Sequence, residues 1–243
     1  MKLSTWLFSA FAGLAVAACG QNAGSGKTLE PMTMGDPNAP AKLVEYASVT
    51  CTHCANYHEE VFQQLKPRIE AGELYYEFRE FPTAPEKLAF AGFKLVRCAG
   101  DDRYFDVMDD LFANQIDILT AAQQGKAAGE LFKVAKKYGM NEEEFNACIQ
   151  NQEIHDHIEA VMTEGQKLGV NSTPSFFMND EKLAPNTAWD VAAMNLVIDE
   201  LNNGGGAPAA TPAPETTEAV EPPADETTPE TTPDPVPTST PEE

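Results

Sequence analysis

The chain has 243 residues, 16 lysines and arginines against 38 aspartates and glutamates, and a formal net charge of −22 at pH 7. Acidity of that size argues against a nucleic-acid binder and for solubility or like-charge repulsion. The length left after two biased termini suits one domain, or one domain carrying an insertion, and no internal repeat points to a solenoid.

Taken from the start, Lys2 supplies a positive residue, Leu3 to Ala18 is largely apolar, and Val16-Ala17-Ala18-Cys19 resembles a lipoprotein cleavage box. The apolar stretch is too short and too lightly flanked for a membrane span. Residues 1–18 therefore read as a lipoprotein signal peptide, with Cys19 as the lipid-bearing residue; the alternative is an ordinary secretory peptide cut after Ala18. Either version exports the chain to a compartment where disulfides persist. Residues 19–33 read as a flexible linker.

Ala41 to Ser48, with Leu43, Val44 and Tyr46, reads as a buried strand. Cys51-Thr52-His53-Cys54 follows it and opens an amphipathic helix from Ala55 to Ile69, with Tyr57, Val61, Leu65 and Ile69 on one face, Pro67 kinking its end and Gly72 closing it. A cysteine at a helix N-terminus faces unpartnered N–H groups and the positive end of the helix dipole, which favour a thiolate. Cys51 is thus the expected nucleophile. Cys54, one turn further in, can displace a partner bound to Cys51 and is the expected resolving thiol. The same pair could instead be half of a zinc site, completed by His58 or by His155 and His157, or an inert staple. His58 shares a helix face with Cys54, which leaves contact with the site open, and reads first as packed or solvated.

Leu74 to Phe81 is the next strand and completes a βαβ unit with parallel strands. Helix patterns then follow one another: Leu88, Phe93 and Val96; Phe105, Met108, Leu111 and Phe112; Leu131, Val134 and Tyr138; a helix capped by Asn141 with Glu142, Glu143 and Glu144 in its first turn; and Glu153 to Leu168. Ser175 to Met178 reads as a short strand, Asn179-Asp180 as a turn, with Leu183 in the hairpin partner, and Thr187 to Leu201 as a closing helix. From Asn203 to Glu243 the chain is almost wholly Gly, Ala, Pro, Thr, Asp and Glu, and holds ten of the 18 prolines. Such a segment cannot bury enough apolar surface to order itself.

This arrangement resembles a thioredoxin fold with an inserted all-α helical domain, an α/β architecture, and its residues resemble the DsbA family of periplasmic thiol:disulfide oxidoreductases. The resemblance rests on Gly35-Asp36-Pro37, Glu45 six residues ahead of Cys51, the Cys51-Thr52-His53-Cys54 motif, Arg79-Glu80-Phe81-Pro82, and Ser172-Thr173-Pro174-Ser175-Phe176-Phe177. It implies thioredoxin-fold halves at 34–84 and 170–202, a helical insertion at 85–169 and a disordered tail at 203–243. It also implies a cis Pro174 beside the cysteines, with the backbone of Thr173 pairing to an extended substrate. Glu45 would accept the proton of Cys54, and His53 would stabilise the Cys51 thiolate. Thr52 departs from the family's usual proline at that position and leaves the reduction potential open.

Cys98 and Cys148 lie in separate helices of the insertion; a structural disulfide is the economical reading in an oxidising compartment, against two buried thiols or a second redox pair. The family resemblance implies a periplasmic, lipid-anchored, monomeric enzyme that oxidises reduced or unfolded exported proteins and passes electrons to a membrane quinone-linked partner, with no cofactor and no metal ion. A disulfide reductase or isomerase of the same fold, or a non-catalytic lipid-anchored binding module, are the alternatives.

Overall fold

A computed structural model describes residues 29–205. The expected signal peptide at 1–18, the expected lipid-bearing Cys19 and the expected tail from 206 onward lie outside the described residues. Five strands form one mixed sheet in the order β1-β3-β2-β4-β5: β1 (Met32–Met34), β2 (Ala41–Ala47), β3 (Leu74–Glu80), β4 (Ser175–Met178) and β5 (Glu181–Lys182). β2 runs parallel to β3 at the centre, and β1, β4 and β5 are antiparallel to their neighbours.

Between β2 and β3 a continuous helical run is built of α1 (Thr52–Tyr57), a π-helical turn (His58–Phe62) and α2 (Gln63–Glu70). Pro67 sits inside α2. The block between β3 and β4 holds α3 (Glu86–Ala99), a 3-10 turn (Asp101–Arg103), α4 (Tyr104–Ala113), α5 (Gln115–Gln123), α6 (Ala127–Lys137), α7 (Glu142–Ile149) and α8 (Gln152–Lys167). α9 (Pro185–Ala188) and α10 (Val191–Asn202) follow β5.

Alternation along β2 sends its side chains to two cores. Leu43 and Ala47 join Tyr76, Phe78, Phe176 and Met178 against α1, the π turn and the helical block. Tyr46 points the other way, into a smaller cluster with Phe81, Val161, Val170 and Phe177. There α8 comes close: a Cβ on Gly165 would lie 2.7 Å from the Tyr46 ring. Glu45 belongs to the first face and is fully buried, directly across from Phe78 and Phe176.

Four local readings differ from the sequence expectations. The stretch read as linker up to residue 33 carries strand β1, whose Met32 is buried against the core; three residues are too few to show a period. α5 carried no expectation, because Gln115 and Ile118 alone face inward. The closing helix is two helices, since Asp190 caps a new one by accepting from the N–H groups of Ala192 and Ala193. Leu183 lies just beyond β5, with its N–H donating to the Phe176 carbonyl, and the hairpin turns on Asn179 and Asp180, both at positive φ (47° and 68°). The Asn141 cap is present as a reciprocal box with Glu144.

Candidate active site

β2 delivers the chain through Ser48-Val49-Thr50 to Cys51, which is the N-cap of α1. Gln115 of α5 holds this approach from the side: its amide donates to the carbonyls of Val49 at 2.9 Å and Cys51 at 3.0 Å. α3 closes against Val49 at Gly92, where a Cβ would sit 2.7 Å from the valine methyl.

Both cysteines are free thiols in unlike surroundings. The Cys51 sulfur is part-exposed and accepts from the Cys54 N–H at 3.3 Å. Its pKa falls from the ordinary thiol range to about 6. The hydrogen bond from the Cys54 side chain is the largest cause, partial burial opposes it, and the Thr173 side chain, the Cys54 N–H and the His53 charge add to the lowering. Cys54 is fully buried, and burial drives its pKa well up; the neighbouring Cys51 and Glu45 charges push the same way, against one hydrogen bond from the Ser48 N–H at 3.5 Å.

The Thr173–Pro174 bond is cis, and the Cys51 thiol donates to the Thr173 carbonyl at 3.4 Å. Ala84–Pro85 is cis as well. His53 is exposed on the first turn and acts on Cys51 by its charge. Cys98 and Cys148 are disulfide-bonded across 50 residues of sequence and join α3 to α7.

Near Cys54, Glu45 is held by groups from two other elements. The Tyr76 hydroxyl of β3 donates to Oε2 at 2.6 Å, and His58 Nε2 of the π turn lies 3.4 Å from the same oxygen. On its far side, His58 Nδ1 faces Asp109 of α4 at 3.8 Å, and Asp109 accepts from Lys66 of α2 at 3.0 Å. Burial pulls the His58 imidazole down, but Glu45 and Asp109 more than reverse this, and the net direction is up. Burial and the Glu45 charge also raise Tyr57 and Tyr76 well above the ordinary phenol value.

His58 is packed, enclosed by Phe62, Phe78 and Phe112, and it also reaches the site, being charge-coupled to Glu45. His155 stacks on Phe90 in another part of the molecule. Among the described residues no group of three or more His, Cys, Asp or Glu side chains is arranged to hold a metal ion. Tyr76, Asp109 and Gln115 carried no sequence signal, since each reaches the site from a separate element.

The arrangement suits thiol–disulfide exchange: a part-exposed, acidic thiol stands beside a buried one, with a buried carboxylate near the second. Residues 27–200 match the family model described as thioredoxin. A Rickettsia bellii protein, named as a candidate protein-disulfide oxidoreductase, is 29% identical over 177 residues, covering 71% of this chain and 66% of that protein. A similarly named Rickettsia conorii protein is 33% identical over 154 residues, covering 61% and 53%. The chain thus spans roughly half to two thirds of the length of these relatives. Among solved structures, a variant of alpha-DsbA1 from Wolbachia pipientis superposes with a TM-score of 0.62 at 28% identity, covering 72% of this chain and 92% of that one. BdbD from Bacillus subtilis shares the fold at a TM-score of 0.62 and 21% identity. By its matched residues and its DsbA-like build, the chain belongs to the thioredoxin family.

Proposed function

We propose that the protein is an exported dithiol oxidase that introduces disulfides into reduced or unfolded proteins through Cys51 and Cys54. The observation that carries this reading is the opposed setting of the two thiols, Cys51 acidic at about 6 and Cys54 pushed well above the ordinary value. A stabilised Cys51 thiolate stabilises the dithiol form, which makes the disulfide form a stronger oxidant.

A substrate thiolate attacks Cys51 Sγ of the disulfide; the new S–S bond forms to Cys51, the Cys51–Cys54 bond breaks, and the electron pair goes to Cys54, which takes a proton. A second substrate thiolate attacks the substrate sulfur of the mixed disulfide and releases Cys51 as its stable thiolate. The substrate leaves oxidised by two electrons and the protein holds them as a dithiol. The Thr173 carbonyl, 3.4 Å from Cys51, is where an extended substrate backbone would dock. Regeneration needs a membrane quinone-linked oxidase, and Cys19 would hold the protein at that membrane through a lipid in the cell envelope. We read the helical block at 85–169 as an insertion into a thioredoxin fold made of 34–84 and 170–202.

The Cys51→Ser protein should fail to oxidise a reduced two-cysteine peptide, and retained oxidation would contradict the mechanism. Recovery of scrambled ribonuclease at isomerase rates would move the assignment to a disulfide isomerase.

A further inference from the structure

Nothing in the exchange mechanism above explains how a proton reaches Cys54. Cys54 and Glu45 have no exposed surface, and Glu45 Oε1 is buried without a hydrogen-bond partner among the described residues. A polar path out of Glu45 runs sideways. From Glu45 Oε2 it passes to His58 Nε2 at 3.4 Å; His58 Nδ1, buried without a hydrogen-bond partner among the described residues, lies 3.8 Å from Asp109, a gap that must close by a small shift, and Asp109 is more than a third exposed. His58 and Asp109 both line a cleft of about 520 Å³ with Thr52, Asn56, Gln115 and Ile116, on the flank of α1.

We propose that His58 is a positioning residue for the exchange reaction, a proton relay that links Glu45 to solvent in this cleft through Asp109; the inference rests on the thiol-exchange reading.

The geometry suits the task. An imidazole carries a proton on one nitrogen while the other accepts one, so it can pass charge between two acids. His58 stands at the first position of the π turn, a feature found frequently at functional sites. The rings of Phe62, Phe78 and Phe112 fix its plane and keep water from Glu45. The charged and titratable groups facing it are Glu45 from β2, Tyr76 from β3, Tyr57 on α1, and Asp109 from α4, itself paired to Lys66 of α2.

The step balances as follows. Substrate R–S⁻ attacks Cys51 Sγ, the Cys51–Cys54 bond breaks, and its electron pair becomes the Cys54 thiolate. The Glu45 carboxylate takes a proton from the His58 imidazolium and passes it to Cys54, and water in the cleft restores His58 at the Asp109 side. Nothing besides the substrate thiol is oxidised or reduced beyond the disulfide itself. His58 supplies protons while it is an imidazolium, and Asp109 raises its pKa, so the supply fades as pH rises through that value, earlier when Asp109 loses its charge.

The test is the rate at which a cysteine peptide reduces the oxidised full-length protein, divided by the peptide thiolate concentration and followed against pH. In the wild-type protein this ratio falls at an inflection above the ordinary histidine value. In His58→Gln the inflection disappears and the low-pH ratio drops by about a hundredfold, the low side of what general acid catalysis contributes. In Asp109→Asn the inflection moves to lower pH. Asp109 is part-exposed, so this variant decides the matter if His58→Gln does not fold. A wild-type profile in either folded variant overturns the relay and leaves the exchange reading standing; oxidation that survives Cys51→Ser overturns the exchange reading instead.

Discussion

The ionisation of Cys51 is the property from which the oxidising reading follows, and it can be perturbed by pH alone. With its pKa at about 6, roughly ten Cys51 side chains in eleven are thiolate at pH 7, against about one in thirty for an ordinary thiol near 8.5. The reduced protein should therefore be alkylated by iodoacetamide at Cys51 with a half-maximal rate near pH 6, while Cys54 stays unmodified because it is buried and its pKa is raised. Mass spectrometry of the alkylated peptides separates the two sites. Replacing Cys54 by Ala removes the hydrogen bond that lowers Cys51 most, and the inflection should move up toward the ordinary value while the Cys54 backbone N–H still restrains it. The sign for stability follows from the same shift. A depressed folded-state pKa stabilises the reduced protein fully above the unfolded pKa of about 8.5, and this gain is lost as pH falls through about 6. The raised pKa of Cys54 works against the gain above about 8.5. The difference in melting temperature between reduced and oxidised protein should thus move in favour of the reduced form from pH 6 to 8. A Cys51 alkylation inflection near 8.5 would refute the reasoning from geometry to thiolate.

Glu45→Gln removes a charge that raises Cys54, so the Cys54 pKa should fall toward the ordinary value when titrated in a Cys51→Ser background; an unchanged value would detach Glu45 from Cys54. Opening the Cys98–Cys148 bridge by a double Ser substitution releases a 50-residue closure, which by loop entropy is worth about 4 kcal/mol and should lower the denaturant midpoint without altering Cys51 alkylation. Gly165→Ala sets a methyl 2.7 Å from a Tyr46 ring held edge-on by Phe81 and Phe177. The overlap should cost about 1–3 kcal/mol, more than the better helix propensity of Ala returns. An unchanged melting temperature would show that Tyr46 has room to move.

What could be read in the sequence was whatever is local in it. The two cysteines at a helix start, the Asn141 cap and the Asn179-Asp180 turn are short-range patterns, and each is written in adjacent residues. Pro174 and Thr173 were placed only by family resemblance, because 122 residues separate Thr173 from the cysteine whose thiol its carbonyl meets. The lower half of the site was out of reach. Tyr76 looks like any aromatic of a buried strand, Asp109 like a surface acid of an amphipathic helix, and Gln115 begins a helix with little periodicity at all. Helical spacing did put His58 on the face of Cys54, but only the register of β2 against β3 brings Glu45 and Tyr76 to its ring. Strand β1 was missed because a three-residue edge strand has no measurable alternation.

The central claim, that this cysteine pair is built to give up its disulfide to substrates, is tested most directly by the equilibrium reduction potential of Cys51–Cys54 against glutathione. A Cys51 pKa of about 6, between the about 7 of thioredoxin and the about 3.5 of DsbA, predicts a value more oxidising than about −270 mV and short of about −120 mV, and a value at or below about −270 mV would contradict it and mark the protein as a reductase.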